Sequence, residues 1–267
     1  MRKSISNYFF SKIDLLKGGS TSKKGLNFSG RICVHHRGGG LKKRCRLIDF
    51  SRRLNSYGTV LKIVYDPNRN AFLGLILYDN GFMTYIILTE DVVLGSRLYS
   101  GNESEILREF DLENENHKGS AFPLKYMPLF SIVSNVELKP FFGAKLARAA
   151  GSGLIIMGFE NNKVILKSKS GWLLSVPDSC MAALGFVSNA LFKMKSIGKA
   201  GKVRGKGCKP VVRGVAMNPC DHPHGGGEGK KGSPRKQKTP WGKLTKGTPT
   251  KTKKVDRIKR NLFKKIR

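Results

Sequence analysis

The chain has 267 residues, 39 % of them hydrophobic, and its 50 Lys and Arg against 18 Asp and Glu give a net charge of +32. A compact enzyme does not need such a charge, whose self-repulsion opposes compaction, so the composition points to a polyanionic partner. The apolar runs are too short to cross a bilayer, which excludes a transmembrane protein. The five cysteines form no C-x-x-C pair, which argues against a disulfide scaffold or a four-cysteine zinc site and favours a reducing compartment.

The positive charge lies at both ends of the chain. Residues 1–65 have a net charge of +13 and residues 143–267 of +24, whereas residues 66–142 have −5. Residues 193–267 alone carry +21. Blocks of one sign are typical of solvated or nucleic-acid-binding arms, and the scarcity of acids in the last block favours a nucleic acid.

The first segment, residues 1–29, is basic and rich in Ser and Gly, with Asp14 as its one acidic residue. Its start places Arg2, Lys3 and Lys12 around aromatic residues, which is compatible with an organelle targeting segment. Because the segment lacks a clear amphipathic repeat, an arm that contacts RNA is an equal alternative.

Short β patterns follow the arm. Alternating and β-branched residues predict strands at 31–35, 45–50, 59–65, 72–78 and 82–88. The sequence Asp79-Asn-Gly81 between the last two is a strong hairpin signal. Strands at this spacing predict a small sandwich or barrel. Six acidic residues between positions 103 and 115 then predict an exposed acidic loop or insertion.

A second β block predicts a second small barrel, with strands at 133–138, 154–159, 163–168 and 172–176. Two short helices are also predicted in this block. One covers 145–150, and the other covers 180–184, where Pro177-Asp-Ser179 resembles a helix start and Gly185 a stop. After Ser196, glycines recur among lysines without an apolar period, which predicts a segment that folds on a partner or stays disordered.

Residues 37–46 join three glycines to five cations. Glycine lets backbone amides approach phosphates closely, and the cations neutralise neighbouring phosphates, which arginine contacts through two nitrogens at once. An ordinary glycine turn between two strands is the alternative, but the density of cations favours phosphate binding.

Residues 214–230 contain two histidines and an acid before three glycines. A P-loop is excluded because its G-x-x-x-x-G-K-[ST] spacing is absent. A zinc site would use Cys220, His222 and His224, which lie within five residues across a proline and have no evident fourth ligand. A Cys220–His222 nucleophile pair is disfavoured because such partners usually come from distant segments. An irregular loop remains, with Asp221 and the histidines hydrogen-bonding within an RNA fold.

The stretch 210–230 closely resembles the signature of the ribosomal protein L-two family of the large subunit. Further motifs resemble the family in the same order along the chain, at 29–40, 42–50, 65–69, 136–140, 146–151, 198–201, 239–243 and 245–247. The chain departs from the usual pattern at Leu41, where the family has histidine, at Cys220, where valine is common, and at Lys230, where arginine is common.

The resemblance implies a mainly β fold, in which an oligonucleotide-binding-like (OB-like) barrel is followed by an SH3-like barrel, with extended basic N- and C-terminal segments. The expected divisions are a basic arm at 1–29, an OB-like RNA-binding domain at 30–118 with the acidic insertion at 103–115, an SH3-like domain at 119–195, and an rRNA-binding tail at 196–267.

The resemblance also implies a structural constituent of the large ribosomal subunit. Such a protein binds large-subunit rRNA, helps the subunits associate and supports the architecture around the peptidyl-transferase centre. Catalysis then belongs to the RNA, so the chain is not expected to be an enzyme. The expected partners are rRNA, neighbouring ribosomal proteins and the small subunit at the intersubunit face, without a membrane or a small-molecule substrate. No cofactor is expected beyond structural Mg²⁺ or K⁺ shared with the rRNA.

The organelle and the class of protein have alternatives. An N terminus that looks shorter than in bacterial members, drifting motifs and many Phe, Ile, Asn and Lys residues favour a mitochondrial ribosome, with a chloroplast or a bacterial cytoplasm as alternatives. The second class is a free RNA-binding regulator or chaperone. A hydrolase is the third class, and it would need a nucleophile–base pair outside residues 214–230.

The candidate rRNA-binding residues are the cations and glycines of these motifs together with the polar and aromatic residues beside them. They are Arg31, Arg37, Gly38, Gly39, Gly40, Lys42, Lys43, Arg44, Arg46, Asn68, Arg69, Arg148, Lys199, Lys202, Arg204, Lys209, Arg213, Met217, Asn218, Asp221, His222, His224, Gly225, Gly226, Gly227, Glu228, Lys230, Trp241, Lys243 and Lys246.

Overall fold

The computed structural model describes residues 17–18, 25–102, 117–227, 236–247 and 263–265, which fall into two compact units. The first unit holds described residues 17–18, 42–102, 117–196 and 263–265. The second holds 25–41, 197–227 and 236–247. The predicted acidic insertion, most of the predicted N-terminal arm and parts of the tail lie outside the described residues. The domain boundaries given above stay a prediction.

The first unit contains all fifteen strands of the described residues. In chain order they are β1 Lys17–Gly18, β2 Cys45–Arg46, β3 Ser56–Val64, β4 Leu73–Tyr78, β5 Met83–Ile87, β6 Arg97–Ser100, β7 Ala121–Pro123, β8 Ile132–Ser134, β9 Val136–Glu137, β10 Ala144–Leu146, β11 Leu154–Glu160, β12 Lys163–Ser168, β13 Trp172–Pro177, β14 Met181–Leu184 and β15 Phe263–Lys265. This content confirms the mainly β class.

Eleven strands form one sheet in the order β15-β13-β12-β11-β8-β14-β7-β6-β3-β4-β5. Neighbours in this sheet are antiparallel except β6 and β7. The pairs β1–β2 and β9–β10 are two small separate sheets. Register shifts at Leu61 in β3 and Met157 in β11 are β-bulges, which bend the two long strands as barrel-like closure requires.

Each half of the large sheet encloses its own hydrophobic core. The half built on β3–β6 buries residues that include Val60, Ile76 and Leu98. The half built on β8 and β11–β13 buries residues that include Ile156 and Leu166. Two halves of one sheet, each packed on its own core, are consistent with an OB-like barrel followed by an SH3-like barrel.

Arg52 is a fully buried cation that joins the two ends of the segment 101–118. Its Nε and Nη2 donate to Ser100 Oγ at 3.0 and 2.8 Å, Nη2 also donates to the Tyr99 carbonyl at 3.2 Å, and Nη1 donates to the Gly119 carbonyl. Burial lowers the pKa of Arg52, an effect that Tyr78 and Asp49 oppose. Arg52 thereby holds together Ser100 and Gly119, which come before and after residues 101–118 in the chain.

Two predicted helices are wrong. Residues 180–184 contain β14, whose residues Met181–Leu184 are all buried between β7 and β8. Residues 145–150 begin inside β10, and a left-handed backbone at Ala147, with φ 48°, follows the strand. In both places strand partners that are distant in sequence override the local helix signal.

Two predicted strands are also shorter than expected or absent. Residues 31–35 make only an isolated bridge between Ile32 and Leu26, and 45–50 contain only the two residues of β2 and a bridge from Ile48 to Tyr85. Residues 45–50 pair with β5 only through the Ile48–Tyr85 bridge, so no continuous ladder forms there. After Ser196 the described residues include one short α-helix, α1 Ala200–Gly205, and one turn of 3-10 helix, Gly214–Ala216. No helix in the described part of the chain is long and apolar enough to cross a membrane.

Candidate nucleic-acid interface

Predicted site residues of the first unit gather around the buried carboxylate of Asp66, which lies two residues after the end of β3. Arg69 Nε lies 2.6 Å from Asp66 Oδ2, and Arg46 Nη1 lies 3.6 Å from Oδ1. The backbone N–H of Asn68 donates to Oδ1 at 3.0 Å, and the Asn68 side chain donates to the Arg44 carbonyl at 3.0 Å. The Asp-Pro-Asn turn therefore fixes two guanidinium groups from different parts of the chain.

An aromatic ring extends this group, which we call the Asp66 cluster and define as Arg46, Phe50, Asp66, Asn68, Arg69 and Arg148. The guanidinium carbons of Arg69 and Arg148 lie 5.7 and 5.3 Å from the centre of the Phe50 ring. The cluster holds three arginines and one acid, so it keeps a net positive charge. Oriented guanidinium groups of this kind bind phosphate oxygens through paired hydrogen bonds. Lys42 and Arg44, on the segment before β2, are exposed.

In the second unit, the glycine-rich segment 37–41 lies antiparallel to residues 205–209. Arg37 bridges to Cys208, the Gly38 N–H donates to the Gly207 carbonyl at 3.0 Å, and the Leu41 N–H donates to the Gly205 carbonyl at 2.9 Å. A Cβ at Gly40 would lie 2.8 Å from the Gly207 backbone, so this approach requires glycine. Two basic motifs separated by about 165 residues are thus joined.

The charge of this unit has almost no compensation. Its described residues contain twelve Lys and Arg and one acid, Asp221. The predicted cations Arg31, Arg37, Lys199, Lys202, Arg204, Lys209, Arg213, Lys243 and Lys246 are exposed. Trp241 is also exposed, at 69 %, and its ring centre lies 5.5 Å from that of His35. Exposed cations beside an exposed aromatic ring suit both phosphates and unstacked bases.

His222 is the buried centre of the loop that contains residues 214–227. Its side chain sits against Gly214, where a Cβ would come within 2.6 Å of the imidazole ring. The backbone folds tightly around it, since His222 N–H donates to the Asn218 carbonyl and Gly226 N–H to the Met217 carbonyl. The loop is therefore folded around the ring of His222, which these backbone hydrogen bonds and Gly214 enclose.

The two histidines of this loop accept hydrogen bonds from backbone amides. His224 N–H donates to His222 Nδ1 at 3.0 Å, and Lys238 N–H donates to His224 Nε2 at 2.9 Å. These two nitrogens therefore carry no proton in this arrangement, and neither is available to a metal. Among the described residues there is no group of three His, Cys, Asp or Glu side chains that suits a metal ion.

Comparison with known proteins gives the same family for both parts of the chain. Residues 13–100 match the model of the Ribosomal Proteins L2, RNA binding N-terminal domain, and residues 117–242 match that of the Ribosomal Proteins L2, C-terminal domain. The large ribosomal subunit protein uL2 of the Wolbachia endosymbiont of Brugia malayi is 45 % identical over 252 residues, which cover 91 % of this chain and 88 % of that protein. The chain belongs to the uL2 family.

Two further uL2 proteins show similar agreement. The protein from Phenylobacterium zucineum is 43 % identical over 238 residues, covering 89 % of this chain and 82 % of its own. The protein from Orientia tsutsugamushi is 43 % identical over 240 residues, covering 90 % and 84 %. The resemblance inferred from the motifs is thereby confirmed.

The departures from the usual uL2 pattern lie on the surface where the structure describes them. Leu41 is 78 % exposed, and Cys220 is an exposed free thiol. Lys230 lies outside the described residues, as does Glu228. Cys180, in contrast, is fully buried, and burial together with the nearby Glu137 carboxylate raises the pKa of its thiol to about 12. That thiol is unreactive at neutral pH.

Sequence reasoning missed the residues that hold the predicted ones in place. Asp66 lies within the motif at 65–69 and Phe50 within the predicted strand at 45–50, but neither is among the candidate binding residues, and no sequence pattern indicates Lys238. The position of Asp66, between a long strand and the pair Asn68-Arg69, is a sequence signal that could have identified it as the carboxylate that holds the arginines. The contact of Lys238 with His224 has no local signal, because the two residues are fourteen positions apart across an irregular segment.

Proposed function

We propose that this protein is a structural constituent of the large ribosomal subunit and that it binds large-subunit rRNA. The observation that carries the proposal is the described part of the second unit, where twelve cations and one acid accompany closely packed glycine backbone. Membership of the uL2 family, whose N-terminal model is described as RNA binding, supports the same function. The Asp66 cluster supplies further arginines for phosphates from the first unit.

The protein is proposed to act by binding alone, with the peptidyl-transfer chemistry left to the RNA. It would support subunit association and the architecture around the peptidyl-transferase centre, beside neighbouring ribosomal proteins and the small subunit. In support, the His222 and His224 nitrogens described above are already committed to backbone donors. Any structural Mg²⁺ or K⁺ would be shared with rRNA phosphates.

A mitochondrial ribosome is the proposed location. The relatives named above are alphaproteobacterial, and mitochondria derive from that bacterial lineage. A bacterial cytoplasm fits the same relatives, and a chloroplast is the third alternative. Subcellular fractionation followed by immunodetection of the chain separates the three locations.

Co-sedimentation tests the ribosomal role against a free RNA-binding regulator. The chain should remain with purified large subunits through a high-salt wash, because an assembled component is held by many RNA and protein contacts at once. A regulator bound mainly through charge is stripped by such a wash. Recovery of the chain only in the soluble fraction would reject the proposed function.

Replacing His222 by glutamine should lower the yield of large subunits or their joining and leave peptide-bond formation by assembled subunits nearly unchanged. His222 Nδ1 accepts the His224 N–H, and a glutamine side chain does not place an acceptor at the same point, so this donor loses its partner at a cost of about 1–3 kcal/mol. Loss of a general base would instead lower the rate roughly 10²- to 10⁴-fold. The measurement is the rate of peptide-bond formation by purified subunits as a function of pH.

The matched control is Cys220→Ala, which removes an exposed thiol from the same loop and should change neither yield nor rate. If assembled His222→Gln subunits lose most of their rate of peptide-bond formation, and the pH dependence of that rate near neutral pH disappears as well, the proposal of a structural role for His222 is wrong.

A further inference from the structure

Two exposed phenylalanines follow each other in the loop between β9 and β10. Phe141 is 77 % and Phe142 is 70 % exposed. Phe141 has φ 68°, a left-handed backbone that bulky residues rarely adopt. Such a conformation persists only where the surroundings hold it in place, and it is enriched at binding sites. The backbone of Phe141 is therefore held in an energetically unfavourable conformation. A side chain that only contacts solvent does not need this conformation.

An ion pair between the partly buried Arg53 and the buried Glu137 holds the Phe141 ring. The guanidinium carbon of Arg53 lies 4.2 Å from the ring centre, and Arg53 Nη2 donates to Glu137 Oε2 at 2.8 Å. Glu137 is fully buried, and its carboxylate also accepts the backbone N–H groups of Gly143 at 2.9 Å and Met181 at 3.1 Å. This series of contacts fixes one face of an exposed aromatic ring against the first unit.

A cavity of about 110 Å³ lies beside the ring. Its lining combines two cations, an amide, a hydroxyl, a proline and the aromatic ring, and the residues are Arg53, Asn102, Pro123, Lys125, Phe141 and Ser179. Among the described residues no carboxylate lines the cavity, and the nearby Glu137 already accepts from Arg53 and two backbone donors. Arg53 Nε is buried and makes no hydrogen bond within the described residues.

We infer that this cavity binds a single unpaired nucleotide of the rRNA, with its base stacked on Phe141 and its phosphate beside Lys125. Stacking on an aromatic ring next to a cation is how proteins hold splayed-out RNA bases. Asn102 and Ser179 supply the polar groups that a base edge or a ribose 2′-OH requires. The inference rests on the proposed function, and it adds a contact that none of the family motifs predicted. An acidic peptide would use the two cations but leave the ring face without a partner.

The test uses the full-length protein and a single-stranded RNA of about 12 nucleotides, a length within the range that such surfaces bind. Phe141→Ala should weaken binding roughly 5- to 150-fold, the equivalent of the ~1–3 kcal/mol that one base–aromatic stack contributes. Phe141→Tyr, which keeps the ring, should bind like the unchanged protein. Phe142→Ala is the matched control, because it removes an equally exposed ring that does not line the cavity, and it should have no effect.

Salt dependence separates the stacking role from the charge role. Phe141→Ala should leave the slope of log K against log salt unchanged, whereas Lys125→Gln should reduce its magnitude by about 0.7, the value for one phosphate on a single strand. Urea unfolding checks that each variant is folded. Should Phe141→Ala prove unfolded, Phe141→Leu keeps the apolar volume without the ring, and it should weaken binding by a similar factor.

Ultraviolet cross-linking of assembled large subunits locates the contact directly. A nucleotide cross-linked to the peptide that contains Phe141 is expected, and a cross-link from that peptide to another protein would overturn the inference. Equal RNA affinity of the Phe141→Ala and Phe142→Ala variants would also overturn it while leaving the proposed function intact. Failure of the unchanged protein to bind rRNA at all would instead count against the proposed function.

Discussion

Binding of the full-length protein to fragments of large-subunit rRNA is expected to weaken about 10³- to 10⁵-fold between 50 and 200 mM salt. Each neutralised phosphate releases counterions and contributes roughly 0.7–0.9 to the log–log slope, and about six to ten phosphates produce a loss of that size. Twelve cations in the described part of the second unit, with one acid among them, provide enough charge for that number of contacts. The measurement is the affinity at four or more salt concentrations.

A charge-matched pair of variants shows which cations are responsible. Replacing Lys202, Arg204 and Lys209 together by glutamine should reduce the magnitude of the slope by roughly 2–3, because three phosphate contacts are lost. The control replaces Lys62, Lys163 and Lys169, which are exposed cations outside every predicted contact, and it should change the slope much less. A slope near zero for the unchanged protein, or equal effects of the two triple variants, would show that the second unit does not bind phosphate.

The long strands were predictable because their signal is local. Strands β3, β4, β5, β11, β12 and β13 combine β-branched or alternating residues with turn sequences, and each overlaps a predicted segment. Asp79-Asn-Gly81 indeed joins β4 to β5. The short strands β6, β7 and β14 were missed or assigned to a helix. With only three or four residues each, they are strands because neighbouring strands complete their hydrogen bonding.

The sequence predicts the residue types of the candidate site, but it does not predict which of these residues contact one another. Cations and glycines at 37–46 and 198–230 stand out in composition, so the sequence predicts which residues bind. It does not show that Leu41 pairs with Gly205, or that Arg46 and Arg69 share the carboxylate of Asp66. Those pairings depend on chain closure over long separations, for which a single sequence has no periodic signal.

The same limit applies to Glu137, an isolated acid in a β pattern that proves to be fully buried. Glu137→Ala is expected to lower the free energy of unfolding by about 3–5 kcal/mol, the usual cost of removing one partner from a buried ion pair. The change leaves the guanidinium of Arg53 without its carboxylate and the N–H groups of Gly143 and Met181 without an acceptor. Urea unfolding of the full-length protein measures the effect.

An exposed pair of the same length shows why burial decides the size of this effect. Arg97 and Asp79 also approach to 2.8 Å, but their side chains are 64 % and 51 % exposed, so Asp79→Ala should cost only about 0–1 kcal/mol. Glu137→Gln keeps an acceptor oxygen without the charge, and it should fall between the two alanine variants. Removing the Glu137 carboxylate leaves three donors without an acceptor, which should cost much more than the loss of a solvated ion pair. If Glu137→Ala and Asp79→Ala destabilise the protein equally, the Glu137 carboxylate does not hold β9, β14 and the Phe141 loop together.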